Sequence, residues 1–332
     1  MEKIRVAFLG CGGIAAKHVR SLKANPDVKI VGCCDVTEDI VKGFIDRTMP
    51  EYKPRPPSFT DAAEMYKKTK ANAVVICTPH TQHFEQGMQA LDAGCHVLME
   101  KPMVTSSEHA YKIKEKVDKT GKVFIVAYNT PCSPEFAYLR DQIRKGTFGK
   151  LEMVNGFISQ DWLRLTVGKW RQDPALSGGG QAYDSGAHLL NSLCWSVESR
   201  PVEVYSIIDN HGSKVDINSV FVIRFENGVM ASICISGNCP GGGSHMVFIF
   251  DNGRVEIDGW GAGWVNIFEG ANKVKYPQIT GKACEPAENF VDAILGRAEP
   301  RTSPMNGIIQ SELMDAIYEA ARTGKPFRAK KR

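Results

Sequence analysis

In the first third of the chain, short apolar runs alternate with segments whose apolar residues have helical spacing. The helical segments include residues 81–93 and 107–119. Strand and helix in strict alternation predict a doubly wound parallel sheet of the Rossmann type, an α/β fold whose ligands bind at the carboxyl ends of the strands. The apolar runs, typical of buried parallel strands, are residues 4–9, 28–34, 73–77, 96–99 and 123–127.

The pattern changes after residue 127. A helix is predicted over 134–145, and turn sequences Asn227-Gly228 and Asp251-Asn252-Gly253 separate longer strand-like segments. A large, mostly antiparallel open sheet of an α+β domain is therefore expected. A length of 332 residues also favours two domains, which we place at 1–127 and 128–332. The strand-like segments are 151–159, 202–209, 219–226, 229–236 and 246–250, and two final helices are predicted at 286–295 and 306–321.

A glycine-rich turn joins the first strand directly to the first helix. In Gly10-Cys11-Gly12-Gly13-Ile14-Ala15, Gly10 would allow the tight turn and Gly12 would let the backbone approach a pyrophosphate. Gly13 and Ile14 open the helix, whose N–H groups and positive dipole end would face the phosphates. An ordinary glycine-rich loop is the alternative interpretation. The spacing from this turn to a carboxylate after the second strand decides against it.

Asp35 follows the second strand, 20 residues beyond Ala15, where a dinucleotide-binding fold places a carboxylate against the ribose hydroxyls. A carboxylate there would repel the 2′-phosphate of NADP, and Val36 supplies no arginine to receive it. NAD is thus the expected cofactor and NADP the less favoured one, although Lys42 or Arg47 could soften the preference.

Composition and charge exclude several other classes of protein. The net charge of +4 is matched by Arg328, Lys330, Lys331 and Arg332 alone, and this balance argues against a nucleic-acid-binding protein. No apolar run could cross a bilayer, and Met1-Glu2-Lys3 precedes a core strand at once, so we expect a cytoplasmic protein without a signal peptide. The ten cysteines lack a Cys-x-x-Cys pair, which favours reduced thiols and predicts no metal site.

A second group of polar residues surrounds the triple glycine at 178–180. If the chain is helical from Asp184 onward, Asp184 and His188 share one helix face, and the carboxylate could orient a histidine that acts as an acid or base. A capping aspartate with a surface histidine, or a metal site, are the alternatives. Lys101 follows a predicted strand and precedes Pro102, which favours a place in the ligand crevice over a plain surface lysine.

These motifs together resemble the glucose–fructose oxidoreductase, inositol dehydrogenase and rhizopine-catabolism family, abbreviated Gfo/Idh/MocA. The resemblance covers nearly the whole chain. It implies an NAD(P)-dependent sugar or polyol dehydrogenase acting on CH–OH donors, built from a Rossmann domain and an open antiparallel α+β domain. The motifs that carry it are Gly10-x-Gly12-Gly13-x-Ala15, Thr78-Pro79-x-x-x-His83, Glu100-Lys101-Pro102, Trp170-Arg171, the triple glycine and Asp184-x-Gly186-x-His188.

The resemblance also implies roles for individual residues. Lys101 would hold the reacting oxygen, His188 would be the acid/base, and Asp184 would bind substrate or support His188. The cofactor would be lined by Thr78, Pro79, His83, Glu100 and Lys101. Many members have an acidic residue where this chain has Asn191, which alters part of the polar rim expected around the substrate.

Trp162, Arg164, Trp170 and Arg171 precede the triple glycine and are expected to contact a sugar, because indole faces cover C–H surfaces and guanidinium groups bind hydroxyls. Core packing is the alternative for the tryptophans.

The expected substrate is a sugar, glycoside or inositol. Glycoside cleavage through transient oxidation of a ring carbon and a non-catalytic NAD-binding sensor are the alternative functions. Apolar strands in the second domain, and the face-to-face sheets of relatives, predict a homodimer or homotetramer.

Overall fold

The computed structural model describes residues 2–275 and 277–329, so the basic residues Lys330, Lys331 and Arg332 lie outside the described part. The chain divides into two compact units. One comprises the chain up to Ala127 together with Cys284–Met305, and the other comprises Tyr128–Ala283 together with the chain from Asn306 onward. The expectation that 128–332 forms one continuous domain is therefore corrected for residues 284–305, which belong to the first unit.

Helices and strands are numbered separately along the chain. Strands β1 to β15 are Ile4–Leu9, Val28–Cys34, Ser58–Phe59, Ala73–Ile76, His96–Met99, Phe124–Val126, Leu151–Ser159, Pro201–Asp209, Asn218–Phe225, Met230–Ser236, Gly243–Phe250, Gly253–Ile257, Val265–Glu269, Asn272–Lys273 and Phe327–Arg328. Helices α1 to α11 are Gly13–Lys23, Glu38–Thr48, Ala62–Thr69, His83–Asp92, Ser107–Thr120, Pro134–Lys145, Trp162–Thr166, Pro174–Ser177, Gly186–Val197, Pro286–Ile294 and Pro304–Thr323.

The first unit contains a six-stranded sheet in the order β3-β2-β1-β4-β5-β6. Its strands pair in parallel throughout, for example Val6 with Ile30 and with Ala73, which confirms the predicted doubly wound sheet. The apolar runs form strands because both faces of the sheet are covered: Val6 is buried on one face, and the paired residues Ala7 and Val74 are buried on the other.

Residues 284–305 join the first unit because α10 has an apolar side to bury. Phe290 and Val291 are fully buried in the core that includes Ile125, and burial of one such side chain stabilises the fold by roughly 1.5–3 kcal/mol. The Thr302 hydroxyl adds a link to β6, since it donates to Val126 O at 2.6 Å and accepts from Val126 N at 3.1 Å. The core residues that pack against α10 are far from it along the chain, so no local sequence pattern indicates that α10 belongs to the first unit.

The second unit contains a nine-stranded sheet in the order β14-β13-β12-β11-β7-β10-β9-β8-β15. Its pairs are antiparallel except for the parallel pair β7 and β10, so the predicted mostly antiparallel sheet is confirmed. One face, with Phe221 and Ile233, is buried against helical residues such as Leu190 and Leu313. Of the helices in the described part of the chain, none is long and apolar enough to span a membrane.

Candidate active site

Helix α1 begins at the glycine turn, where there is open space beside Gly12 and Gly13. Gly10 has φ +90°, and a Cβ there would lie 2.7 Å from the Cys77 carbonyl carbon, so only glycine fits beside β4. Gly12 is the N-cap and brings no side-chain cap, while a Cβ on Gly12 or Gly13 would meet nothing within 4 Å. An uncapped helix start with unfilled space before it suits a phosphate group.

Asp35 is tied to this turn by its carboxylate. Its Oδ2 accepts from Cys11 N at 2.7 Å, and its Oδ1 accepts from Val36 N at 2.7 Å. The carboxylate is thereby held at the end of β2 beside the glycine turn, with oxygen lone pairs remaining for ribose hydroxyls. Of the two nearby cations considered from sequence, Lys42 pairs with Glu38 at 3.0 Å, and the charge of Arg47 acts to lower the pKa of Cys11. A hydrogen bond with Cys33, together with burial, raises the pKa of Cys11 further than Arg47 lowers it.

His83 connects the ends of β4 and β5. Its ring Nδ1 lies 2.7 Å from Pro102 O and its Nε2 lies 2.9 Å from Thr78 O. Complete burial lowers the pKa of His83 and outweighs the two carbonyl oxygens, which favour the charged ring. The neutral ring donates to one of the two carbonyls, so His83 fixes the Thr78-Pro79 segment relative to the Lys101-Pro102 segment.

Glu100 contacts helix α1. Its Oε1 lies 2.7 Å from Nε2 of His18, which is on α1, and its Oε2 accepts from Lys101 N at 3.2 Å. Both side chains of the pair are buried. Glu100 therefore joins α1 to the backbone that carries Lys101, and sequence reasoning missed His18 because nothing in its local pattern distinguishes it from other residues of the helix.

His188 lies in the first turn of α9 and is enclosed by three side chains of the second unit. Its Nδ1 lies 3.1 Å from Asn129 Oδ1, its ring stacks on Trp260 with centroids 5.2 Å apart, and Tyr128 meets it edge-on at 5.8 Å. Asn129 Nδ2 donates to Trp260 O at 3.2 Å, which sets the amide so that Oδ1 faces the imidazole. A neutral ring in this position would donate from Nδ1 and carry its lone pair on Nε2, which is the tautomer that a base acting through Nε2 requires.

The structure corrects the predicted relationship between Asp184 and His188. Helix α9 begins at Gly186 with Ser185 as N-cap, so Asp184 lies in the preceding turn and not on a shared helix face. Asp184 Oδ2 accepts from Trp162 Nε1 at 2.7 Å and from Arg171 Nε at 2.9 Å. Asn129 Oδ1 accepts a hydrogen bond from the His188 ring and so orients it.

The turn before α9 is shaped by Asp216. Its carboxylate accepts from Gly180 N at 2.6 Å and from Ala182 N at 2.8 Å, and a Cβ on Gly180 would lie 1.9 Å from Asp216 O. This close contact holds residues 180–185 in a turn. Glycine at position 180 is needed for that approach, and the helix starts later than its apolar spacing suggests.

The tryptophans and arginines expected to contact a sugar have different surroundings. Trp162 is 3% exposed and gives its N–H to Asp184, so its expected role as a sugar platform is corrected to support for that carboxylate. Arg171 also holds Asp184, and its guanidinium lies 4.5 Å from the ring centre of Trp170. Arg164 is exposed and pairs with Asp161.

Asn191 is not part of a polar rim. It is 1% exposed, and its Nδ2 donates to Gln310 Oε1 at 3.1 Å. Gln310 in turn donates to Ala187 O at 2.9 Å, so this amide pair joins α9 to α11. Asparagine in place of an acidic residue at position 191 thus changes a contact between two helices. The expectation that it alters the polar rim around the substrate is corrected.

A cleft of about 720 Å³ adjoins His188 in the second unit. Asn129 and Trp260, the two residues that contact the His188 ring, also line the cleft. Sequence reasoning missed Asn129, Trp260 and Trp264. The alternation of glycine and tryptophan over 259–264 was the available signal for two of them, because glycines beside large rings often permit a close ligand approach. Other lining residues include Gln160, Asp161, Gly241, Gly242, Ser244 and Asp258.

Two family models match most of the chain. Residues 4–128 match an oxidoreductase family with an NAD-binding Rossmann fold, and residues 136–256 match the GFO/IDH/MocA C-terminal domain. These two ranges contain the glycine turn, Asp35, Lys101 and His188.

Among curated relatives, the D-glucoside 3-dehydrogenase of Escherichia coli (strain K12) is 28% identical over 195 residues, 58% of this chain and 53% of that protein. The match thus spans about half the length of that relative. The D-xylose 1-dehydrogenase [NADP(+)] of Haloarcula marismortui is 26% identical over 269 residues, 77% of this chain and 74% of that protein. The glycosyl hydrolase family 109 protein 1 of Akkermansia muciniphila is 30% identical over 155 residues, 46% and 32% of the two chains.

Solved structures share the fold over the whole length. The WlbA dehydrogenase from Bordetella pertussis, in complex with NADH and UDP-GlcNAcA, superposes with a TM-score of 0.86 at 22% identity and covers 100% of each chain. An NAD-binding protein from Listeria innocua gives a TM-score of 0.81 at 25% identity, covering 99% of this chain and 97% of that one.

Proposed function

The chain belongs to the Gfo/Idh/MocA oxidoreductase family, and from this premise we propose that it transfers a hydride between NAD and a secondary alcohol carbon of a sugar, glycoside or inositol. The observation that carries the proposal is the geometry of His188. Asn129 holds its Nδ1, Trp260 supports its ring, and both line an adjoining cleft in the same unit. An oriented imidazole beside a cleft with an indole wall suits proton transfer with a polyhydroxylated ring.

The first unit supplies residues that fit a dinucleotide. The uncapped start of α1, with Gly10, Gly12, Gly13 and Ile14, would receive the pyrophosphate, and Asp35 would accept from the ribose hydroxyls. When bound, the nicotinamide supplies the acceptor for a hydride from carbon. The segments joined by His83 bring Thr78, Pro79, Glu100 and Lys101 into the same part of the unit and would line the cofactor. NAD is favoured over NADP because Asp35 would face a 2′-phosphate.

The acid–base step is assigned to His188, with Lys101 as the hydrogen-bond donor to the reacting oxygen. In the oxidative direction, Nε2 of neutral His188 takes the proton of the reacting hydroxyl as the C–H bond breaks and its hydride leaves. The Lys101 ammonium donates a hydrogen bond to the same oxygen and stabilises the developing alkoxide. Asp184, held by Trp162 and Arg171, accepts a hydrogen bond from a second hydroxyl of the ring and so fixes which carbon reacts.

The experiment is a screen for NAD⁺ and NADP⁺ reduction by pyranoses, methyl glycosides and inositols, with the products identified by NMR. We expect a ketone at one ring carbon, formed in a one-to-one ratio with reduced cofactor. Oxidation of simple aliphatic alcohols without oxidation of any sugar or inositol would contradict the proposal. Cofactor binding without turnover of any compound would favour an NAD-binding sensor instead.

A second function is redox-assisted glycoside cleavage, favoured by the similarity to the glycosyl hydrolase family 109 protein. In that reaction a ring carbon is oxidised, the glycosidic bond breaks by elimination, water adds, and the carbon is reduced again, so no net cofactor is consumed. Release of free aglycone and reducing sugar without accumulated NADH would identify this reaction. Accumulated NADH with an intact glycosidic bond would identify the dehydrogenase.

A homo-oligomer is proposed from the outer face of the second sheet. The register places Ile207 opposite Val220, Val220 opposite Cys234, and Cys234 opposite Phe157, which makes one row across four strands. All four side chains are exposed, at 77% for Ile207 and 47% for Val220. Such a row is apolar enough to bind its own copy about a two-fold axis.

A further inference from the structure

The cleft beside His188 has two tryptophans in different environments. Trp260 is partly buried, with the His188 ring stacked on it. Trp264 is 41% exposed and touches the cleft with its ring held edge-on to His245 at 5.0 Å. The first indole therefore supports the acid/base, whereas the second has an open surface available for a ligand.

We propose that Trp264 is a stacking platform for the aglycone or neighbouring ring of a glycoside whose reacting ring lies at His188. This inference rests on the proposed function and names the substrate class of the same site. A hexose alone is much smaller than the cleft of about 720 Å³. A ligand with a second ring would fill more of it and cover the exposed indole.

The loop that carries both tryptophans is held in place by one carboxylate. Asp258 accepts from the backbone N–H groups of Trp260 at 3.2 Å, Gly261 at 3.1 Å and Gly263 at 3.2 Å, and also from the Ser244 hydroxyl. Its own N–H donates to Trp264 O at 3.2 Å. These bonds fix the backbone at both ends of the loop, and so the positions from which the two indoles project, before a ligand arrives. A loop that is already ordered reduces the entropy cost of binding.

The charges around the cleft favour a neutral ligand. Asp258 is occupied by the loop backbone, and Asp161 pairs with Arg164. Among the described residues that line the cleft, none is a lysine or arginine, so a diphosphate would find no cation on these walls. The remaining polar groups include the side-chain amides of Asn129 and Gln160, which suit hydroxyl groups.

The test compares phenyl and methyl glycosides of glucose, galactose, xylose and N-acetylglucosamine, in both anomers, as substrates of the 332-residue protein with NAD⁺. For phenyl glycosides, Trp264→Ala should raise KM on the order of 10- to 100-fold, because an aromatic contact and its buried area are lost. For the matching methyl glycosides KM should change less than about twofold, and Trp264→Phe should retain most of the phenyl preference. An equal change for both ligand types, or no change, overturns the inference and leaves the proposed function intact.

Direct binding keeps the inference testable if the proposed function fails. If wild-type protein oxidises no glycoside, isothermal titration calorimetry with the phenyl glycosides replaces the kinetic measurement. Binding that is lost in Trp264→Ala and kept in Trp264→Phe supports the platform. Binding that is unchanged in Trp264→Ala, or the failure of every phenyl glycoside to bind the wild type, overturns it. Circular dichroism and an unchanged NAD⁺ affinity confirm that each variant is folded.

Discussion

Asn129 Oδ1 lies 3.1 Å from Nδ1 of His188, and Nδ2 of the same amide donates to the backbone oxygen of Trp260 at 3.2 Å. The second bond sets the orientation of the amide: with Nδ2 directed at Trp260 O, Oδ1 is the atom that faces the imidazole. The ring is therefore held in the tautomer with its proton on Nδ1. In the proposed reaction, Nε2 is the nitrogen that exchanges a proton with the substrate.

Replacing Asn129 tests this relationship. Asn129→Asp should raise the pKa of His188, because a carboxylate beside Nδ1–H favours the charged ring, and the acidic limb of the kcat/KM profile should move to higher pH. Asn129→Leu should lower kcat by up to about 100-fold through a misplaced ring, without that pH shift. Identical pH profiles for wild type and Asn129→Asp would show that Nδ1 is not oriented by residue 129.

Lys101→Ala and His188→Ala should each lower kcat on the order of 10²–10⁴-fold, the contribution of a positioned acid, base or alkoxide donor. NAD⁺ affinity, measured by fluorescence titration, should change little. Lys119→Ala is a matched control for Lys101→Ala, because Lys119 is an exposed lysine of the same unit as Lys101 and lies in the last turn of α5. Near wild-type turnover in both site variants would place the chemistry on other residues.

Asp35 should set the preference for NAD. Asp35→Asn removes the charge and keeps one oxygen, which can accept from Cys11 N or from Val36 N, so one of the two bonds between residue 35 and the backbone is retained. The ratio of kcat/KM for NAD⁺ over NADP⁺ should fall on the order of tenfold or more, since the repulsion of a 2′-phosphate is lost. Asp35→Ala should lower the ratio as well, and it should also weaken the binding of both cofactors. Equal efficiency of the wild type with NAD⁺ and NADP⁺ would contradict this role.

The exposed row on the second sheet should be an interface between copies of the chain. A charge placed in its centre by Val220→Asp or Ile207→Asp would be buried in that interface, so light scattering should show a dimer or tetramer for the wild type and a monomer for these variants. Ile40→Asp is the control, because Ile40 is 44% exposed on the first unit. A monomeric wild type at micromolar concentration would remove the prediction.

His96 should make stability depend on pH. Burial, aided by Lys122, lowers its pKa to about 4, and Val123 N donates to its Nδ1 at 2.9 Å, which requires the neutral ring. In the unfolded chain its pKa is about 6.5, so the unfolded state binds more protons below that pH. The free energy of unfolding should therefore be fully retained above pH 6.5 and decrease as the pH falls from about 6.5 towards 4.

Urea unfolding at several pH values measures this dependence. His96→Asn offers an amide oxygen to Val123 N and does not titrate, so its stability should decrease less between pH 6.5 and 4 than that of the wild type. Buried His83, whose pKa is also lowered, contributes with the same sign in both proteins and cancels in the comparison. Parallel curves for the two proteins would show that His96 is not the group responsible.

Local sequence determined most of the first unit and the outline of the second. Apolar runs and helical spacing predicted the strands and helices because each element buries its own repeating face. The helix at Pro134–Lys145 and the strand at Leu151–Ser159 have the predicted limits. Gly10 was also readable from sequence, since a turn between a strand and a helix that carries φ +90° requires glycine.

The side chains around the candidate acid/base were decided by tertiary structure. Asn129 is 59 residues from His188, and Trp260 lies in the connection between β12 and β13, whereas His188 lies on α9. No local periodicity therefore relates the three residues. Spacing alone paired Asp184 with His188, but the contact of Gly180 with Asp216 delays the helix and turns Asp184 towards Trp162 and Arg171. A sequence pattern reports which face of one element is buried. Which side chains meet across elements depends on how the whole sheet and its loops pack, and that depends on all of the chain at once.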